Sequence, residues 1–474
     1  MTAFRPTRRT VLGGTVVTLA ALGPSRTLRA ETGGTPPGEA RRLTLKPGAA
    51  QLRGPDLPPS PVWGFDGQAP GPILRVRRGG EVWVRAENGL DQPTAIHWHG
   101  IRLTNPMDGV PPLTQAAIPP GGAFDYRFAC PDAGTFWYHA FAGTPEQLDR
   151  GLAGALIVEE ETPIAVDQDI VLLLQDWQFD DGAAKEGEAK AEAKDSETKG
   201  AEAKESEAGA RHATVNGRPA EDIAAKGHDR IRLRLINAAA WRIAALAFEG
   251  GLRPVLVAVD GQPSEAFELG RPRVALPPGG RVDLILDMPA AADPAAEPPA
   301  IRLHGYGTDS VLATFRLESG PPRRPEPLGT VSQLPDNPLP RHIELKGAHR
   351  LDLALDAGNP QPAAASLWTF RGGDGPAGPP LFRVARGRTV VLALVNKTPL
   401  PHAVHIHGHH VRLLDSLDDG WKPWWHDTLL VPEAKTSRIA FIADNPGKWL
   451  LPCRAVEQPA DGTGSAKAAW FEVT

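Results

Sequence analysis

The sequence predicts an all-β protein made of three consecutive β-sandwich domains. Three observations carry this expectation. Gly (50) and Pro (49) punctuate short runs rich in Val, Ile, Leu and Arg, which favours short strands and tight turns over long helices. The chain has 474 residues, too many for one ordinary core, and roughly 150 residues per domain gives about three. Finally, residues 73–100 and 381–408 align without a gap at an offset of 308, pairing Arg75 with Arg383, Gly79 with Gly387, Val82 with Val390, Asn88 with Asn396 and Pro93 with Pro401. Each copy reads as strand, Gly-bearing turn and second strand. Each ends in His-X-His-Gly, at His97-Trp98-His99-Gly100 and His405-Ile406-His407-Gly408. Two related β-domains should therefore face each other across a shared site.

At the N-terminus, Thr7-Arg8-Arg9-Thr10-Val11-Leu12 precedes an apolar run through Leu22 and a Pro/Ser/Arg stretch ending near Ala30. Residues 1–30 resemble a twin-arginine export signal, which places the mature protein in a bacterial periplasm. The apolar run is shorter than the ~20 residues of a spanning helix, and no later segment suits a bilayer, so no transmembrane segment is expected. A first domain is expected over 41–160, with alternating strands such as Val82-Trp83-Val84-Arg85 and Phe124-Asp125-Tyr126-Arg127-Phe128, and a last strand at Gly154 to Val158. A second is expected over 163–318. There Ile231 to Asn237 echoes Val82 to Asn88, and Pro277 to Asp283 echoes Pro119 to Asp125. This copy has no histidine pair and reads as a spacer holding the outer two in register. Within it, residues 180–210 are dominated by Glu, Ala, Lys, Gly, Asp and Ser. Such a stretch buries too little apolar surface to offset its ordering entropy, so a disordered acidic insert is expected, a partly helical one being the alternative. A Pro-rich linker from Gly320 to Pro340 leads into a third domain, 325–474.

The net charge of −5 and the scattered arginines argue against a nucleic-acid partner. A periplasmic protein partner stays open, as does the substrate. Two cysteines, Cys130 and Cys453, exclude a disulfide framework; one bridge remains open, and two separate thiols are favoured.

Residues two apart on a strand face the same way, so a His-X-His pair can present two imidazoles to neighbouring metals. Imidazole suits Cu(II), and a cysteine thiolate selects an electron-transfer copper. The His97 to Gly100 stretch, Phe136-Trp137-Tyr138-His139, His402 to His407, and Gly447-Lys448-Trp449 through Cys453 together resemble the motifs of three-domain multicopper oxidases. The match covers nearly everything after the export signal. It implies three cupredoxin (plastocyanin-like) Greek-key sandwiches, with a trinuclear copper cluster between the first and third. It also implies roles: His97 and His405 as type 2 ligands, His99, His139 and His407 as type 3 ligands, and His402 and Cys453 as type 1 ligands.

Four positions depart from the pattern. Phe141 stands where the second motif has its second histidine, Pro452 and Arg454 flank Cys453 where histidines belong, and Gln458 replaces the histidine completing the type 1 site. Thr463 falls where an axial Met or Leu is usual, and no methionine follows Met288. Two like unit charges about 4 Å apart repel by roughly 4 kcal/mol at an effective dielectric near 20, so Arg454 should oppose metal as well as fail to bind it. The resulting expectation is an oxidoreductase by lineage, laccase-like in family, with copper at partial occupancy or none and without four-electron reduction of dioxygen. His97 and His405, helped by His99, could hold one Cu(II) or Zn(II); His402, Cys453 and Gln458 could form a reduced type 1 remnant. The alternative is a copper-free periplasmic scaffold, similar to exported relatives that support the division septum. Trp421, Trp424 and Trp425 read as core filling with docking as the alternative, His409 and His410 as supporting or surface residues, and Asp108 as a turn former.

Overall fold

The computed structural model describes residues 40–141, 146–179, 211–291, 297–305, 309–355, 367–369, 378–414, 421–456 and 466–474. The export-signal stretch, the 180–210 insert, Gln458 and Thr463 lie outside the described residues, as does the side chain of Trp421.

The described elements are strands, apart from a short 3₁₀ turn at Asn105–Met107 and one four-residue α-helix at Glu146–Asp149. Their alternation explains the pairing of layers. In Glu81–Asn88, Val82, Val84 and Ala86 are buried while Glu81 and Arg85 face water. That strand lies in a four-stranded sheet with Ser60–Phe65, Arg41–Ala50 and Ala123–Ala129. A second four-stranded sheet runs Gly71–Arg77, Ala153–Glu159, Gly134–Ala140, Ile96–His99. A six-stranded and a five-stranded sheet follow between Gln168 and Leu317, and another such pair between His349 and Val473. No strand interrupts the Pro-rich stretch between Leu317 and His349.

An asparagine closes the equivalent strand in each pair of sheets. Asn88 Nδ2 donates to Gln92 O and Ile118 O, and its Oδ1 accepts from Leu90 N. Asn237 repeats this with Arg242 O, Leu276 O and Ala239 N, and Asn396 with Leu400 O, Val431 O and Thr398 N. One amide thus satisfies three backbone groups where the chain turns, the physical content of the repeat seen in sequence.

Strands buried on both faces locate the seam. Gly134–Ala140 and Ile96–His99 are buried throughout. Phe136, Tyr138, Ile96 and Trp98 fill an apolar core that continues into Val404, Ile406, Trp449 and Cys453 of the last pair of sheets. The alternate residues, including His97, His99 and His139, must face the other way. The first and last pairs of sheets therefore share one core, which fixes the two His-X-His strands relative to each other. The middle pair has its own core around Leu233, Leu284 and Phe315.

Candidate metal centre

Register brings the histidines together. His97 is directly opposite His139 in an antiparallel pair, with His99 opposite Trp137, so all three imidazoles leave the same face. In the last pair of sheets, His405 is opposite Thr428 and Ala403 opposite Arg454. His405, His407, Pro452 and Arg454 consequently face the seam, whereas His402 and Cys453 turn into the sandwich. The five seam imidazoles converge on one cavity of about 60 Å³, whose wall also carries Phe141, Pro452 and Arg454.

Hydrogen bonds set which nitrogen of each ring is available. His97 Nδ1–H donates to Asp108 O at 2.8 Å and His405 Nδ1–H to Asp427 O at 2.9 Å. Both Nε2 lone pairs are thereby turned inward, and the two nitrogens lie 3.3 Å apart. Two acceptors at that distance share no proton, yet one ion can take both at a metal–nitrogen length of roughly 2.0–2.1 Å. His407 Nδ1–H donates to Asp108 Oδ2 at 3.0 Å, and His139 Nδ1–H to Ala140 O at 2.9 Å. The Thr428 hydroxyl donates to Asp427 Oδ1 and so accepts from His99 Nε2–H at 2.8 Å, leaving Nδ1 of His99 as its basic atom. Donor atoms of His97, His99 and His139 lie within 4.8 Å of one another, as do those of His97, His405 and His407. Donor identity, tautomer and convergence fit a copper-type ion.

Electrostatics agree. Burial, then the His97 ring, holds His407 down to about 3, and His139 falls well below its ordinary value for the same reasons. Burial and the neighbouring His405 do the same to His99. Neutral imidazoles are the ligating form. Burial alone would raise Asp108 and Asp427, but the fields and hydrogen bonds of His407 and His97 at Asp108, and of Arg281, His405 and His410 at Asp427, together outweigh it, so both carboxyls stay ionised behind the histidines.

Asp108 forms the expected turn and does more. It follows the 3₁₀ turn, but it is also 1% exposed and orients His97 through its carbonyl and His407 through its carboxylate. Nothing in Met107-Asp108-Gly109 announces that reach. His409 and His410 are buried, not at the surface, and His410 Nε2 lies 3.4 Å from Asp427. Trp425 is buried; Trp424 stacks on Phe267 and donates to His426, so packing accounts for both.

The middle pair of sheets does more than space the others. Arg281 makes a two-pronged ion pair with Asp427 at 2.7 and 2.5 Å, and Asp260 accepts from Arg281 N and from His426 Nδ1. Each motif glycine makes room for this packing. A Cβ on Gly100 (φ +88°) would collide with the Arg281–Asp427 pair, and one on Gly408 (φ +67°) with the Trp449 ring.

On the sandwich side, Cys453 Sγ lies 3.3 Å from His402 Nδ1, and His402 Nε2 lies 2.8 Å from Thr398 Oγ1. Neither cysteine forms a disulfide, and burial pushes Cys130 up to about 12. Arg454 sits on the wall of the cavity and not at its centre. Its Nη1–H donates to Ala240 O at 2.6 Å and its guanidinium lies over Trp241.

Comparison with known proteins adds to this geometry. Two family models, each described as Multicopper oxidase, match residues 50–163 and 345–458. The chain is 29% identical to a multicopper oxidase of Mycobacterium tuberculosis, over 95% of this chain and 90% of that protein. It superimposes on a crystal structure from a marine microbial metagenome with a TM-score of 0.71 at 32% identity, covering 92% of this chain and 100% of that one. A multi-copper oxidase from Pseudomonas thermotolerans gives 0.70 at 31%, with the same coverage.

Proposed function

The chain belongs to the multicopper oxidase family, with its cupredoxin-type sandwiches and its lineage of copper binding and oxidoreductase chemistry, and on that premise we propose that it keeps a reduced copper centre without four-electron reduction of dioxygen. The facing Nε2 atoms of His97 and His405, 3.3 Å apart with both Nδ1 atoms committed to carbonyls, carry this reading. His97 and His405 would hold one copper, with His99, His139 and His407 around it. Copper bound there supplies one-electron exchange between Cu(II) and Cu(I). The chain's own part is to keep His99, His139, His405 and His407 neutral and to fix the ring tautomers through Asp108, Asp427, Thr428 and the Ala140 carbonyl.

Phe141 and Pro452 offer no donor atom where the family resemblance places imidazoles, and Arg454 brings a cation. Pro452 and Arg454 also interrupt the route by which a cysteine-bound copper would pass electrons to the seam. His402 and Cys453 retain contact, but a thiolate and one imidazole leave a type 1 site short of its equatorial set. Residues 1–30 support export by the twin-arginine route to the periplasm, where the protein would meet copper. The charged Arg454 wall favours a second reading, a copper-free scaffold in the same compartment.

Oxygen uptake tests the proposal. After copper loading, a phenolic dye or Fe(II) should give no steady oxygen consumption above a copper-free control; sustained catalytic uptake with either donor would show that the full reaction survives.

A further inference from the structure

Among the described residues, Arg454 is the one formally charged side chain on a cavity wall otherwise built from imidazoles, apolar groups, a glycine and a threonine. Among the described residues no aspartate or glutamate lines that cavity; Asp108 and Asp427 stand behind the rings they orient. The guanidinium has five N–H donors, and its one protein acceptor among the described residues is Ala240 O. No carboxylate among the described residues reaches it at ion-pair distance. Asp149 and Asp176 act only through their longer-range field, and Asp149 is already committed to Arg211 and Trp241. A half-buried cation with no contacting carboxylate among the described residues is partly shielded from water at a cost, and a metal dication entering the same cavity would raise that cost further.

We propose that the seam binds a small planar oxyanion of the bicarbonate or carboxylate class, held by Arg454 and taken up together with the metal at His97 and His405. The inference rests on the copper reading above. Three features of the cavity support it. A volume of about 60 Å³ leaves room for about four water-sized groups at roughly 15 Å³ each, enough for one ion and the coordinating edge of a small planar anion. The guanidinium fork matches two oxygens of such an anion in geometry and charge. Phe141 and Pro452, with no donor or acceptor in their side chains, leave the anion to be held by the guanidinium and the metal instead of by competing protein ligands. The substitution that removes an imidazole therefore supplies the counter-group for a different first coordination sphere, one completed from solution.

The test is a calorimetric titration of the metal-free full chain with Cu(II), in carbon-dioxide-depleted buffer and in the same buffer with sodium bicarbonate at matched ionic strength. Bicarbonate should tighten copper binding by roughly tenfold or more. In Arg454→Gln the two titrations should coincide. A second readout keeps wild type decisive if that variant folds poorly: ¹³C-labelled bicarbonate should give a carbon hyperfine coupling in the copper electron paramagnetic resonance spectrum. Copper binding that ignores bicarbonate and shows no ¹³C coupling overturns the anion inference alone, as does an enhancement that persists in Arg454→Gln. Absence of copper binding in both buffers overturns it together with the copper reading on which it rests.

Discussion

Residue by residue, the seam is set by which nitrogen of each ring is committed. His97 and His405 spend their Nδ1–H groups on the carbonyls of Asp108 and Asp427, so losing either ring removes half of the closest donor pair. Restoring the missing imidazoles tests the other side of the account. Phe141→His, Pro452→His, Arg454→His and Gln458→His together should raise copper uptake above that of wild type and bring in blue thiolate absorbance; unchanged copper content in that variant would mean that the backbone, too, has moved away from a cluster. Gly100 is a narrower test. Its φ of +88° costs an alanine about 1–2 kcal/mol before any clash, and the added Cβ presses on the Arg281–Asp427 pair. Gly100→Ala should therefore lower both the thermal midpoint and copper affinity, read by calorimetry. At this scale strand parity made the seam histidines legible, because residues two apart must share a face. Asp108 was not legible, since its partners His97 and His407 are joined to it by folding and not by spacing.

Among the elements, the pair of sheets without a histidine motif has a larger part than its sequence suggests. Arg281 and Asp260 come from it, and both bear on the Asp427–Thr428 segment that orients His405 and His99. Removing Arg281 leaves Asp427 buried without its arginine counter-charge, a loss of up to about 3–5 kcal/mol. Arg281→Met should thus lower the urea midpoint and weaken copper binding together, whereas conserved affinity in the folded variant would reduce this pair of sheets to a spacer. The echo between Val82 to Asn88 and Ile231 to Asn237 was readable, and the three asparagines show why. The reach of Arg281 into another sandwich was not, because an arginine after a Pro-Pro-Gly-Gly turn looks like any exposed strand residue. Two ligand-position arguments, at Gln458 and Thr463, lie outside the described residues.

Across the whole molecule, one apolar core joins the first and last sandwiches, so the seam is built only when the chain is fully folded. Acid should expose that dependence in metal-free protein. An unfolded histidine takes up a proton near 6.5, while His407 in the native state stays neutral down to about 3. Between those values the unfolded state binds more protons, so stability is fully present above 6.5 and falls as pH drops. His99, His139 and His405 shift in the same direction. Urea midpoints of the chelated protein should decline steadily from neutral pH into acid; a flat profile would mean that these rings take up protons in the fold as readily as in the unfolded chain.

The most direct measurement is copper stoichiometry on reconstituted full-length protein, read with its electron paramagnetic resonance spectrum. A single tightly held Cu(II) is expected, with a nitrogen-ligated, non-blue spectrum that disappears in His405→Ala. Four coppers per chain with strong blue absorbance would contradict it, and so would none.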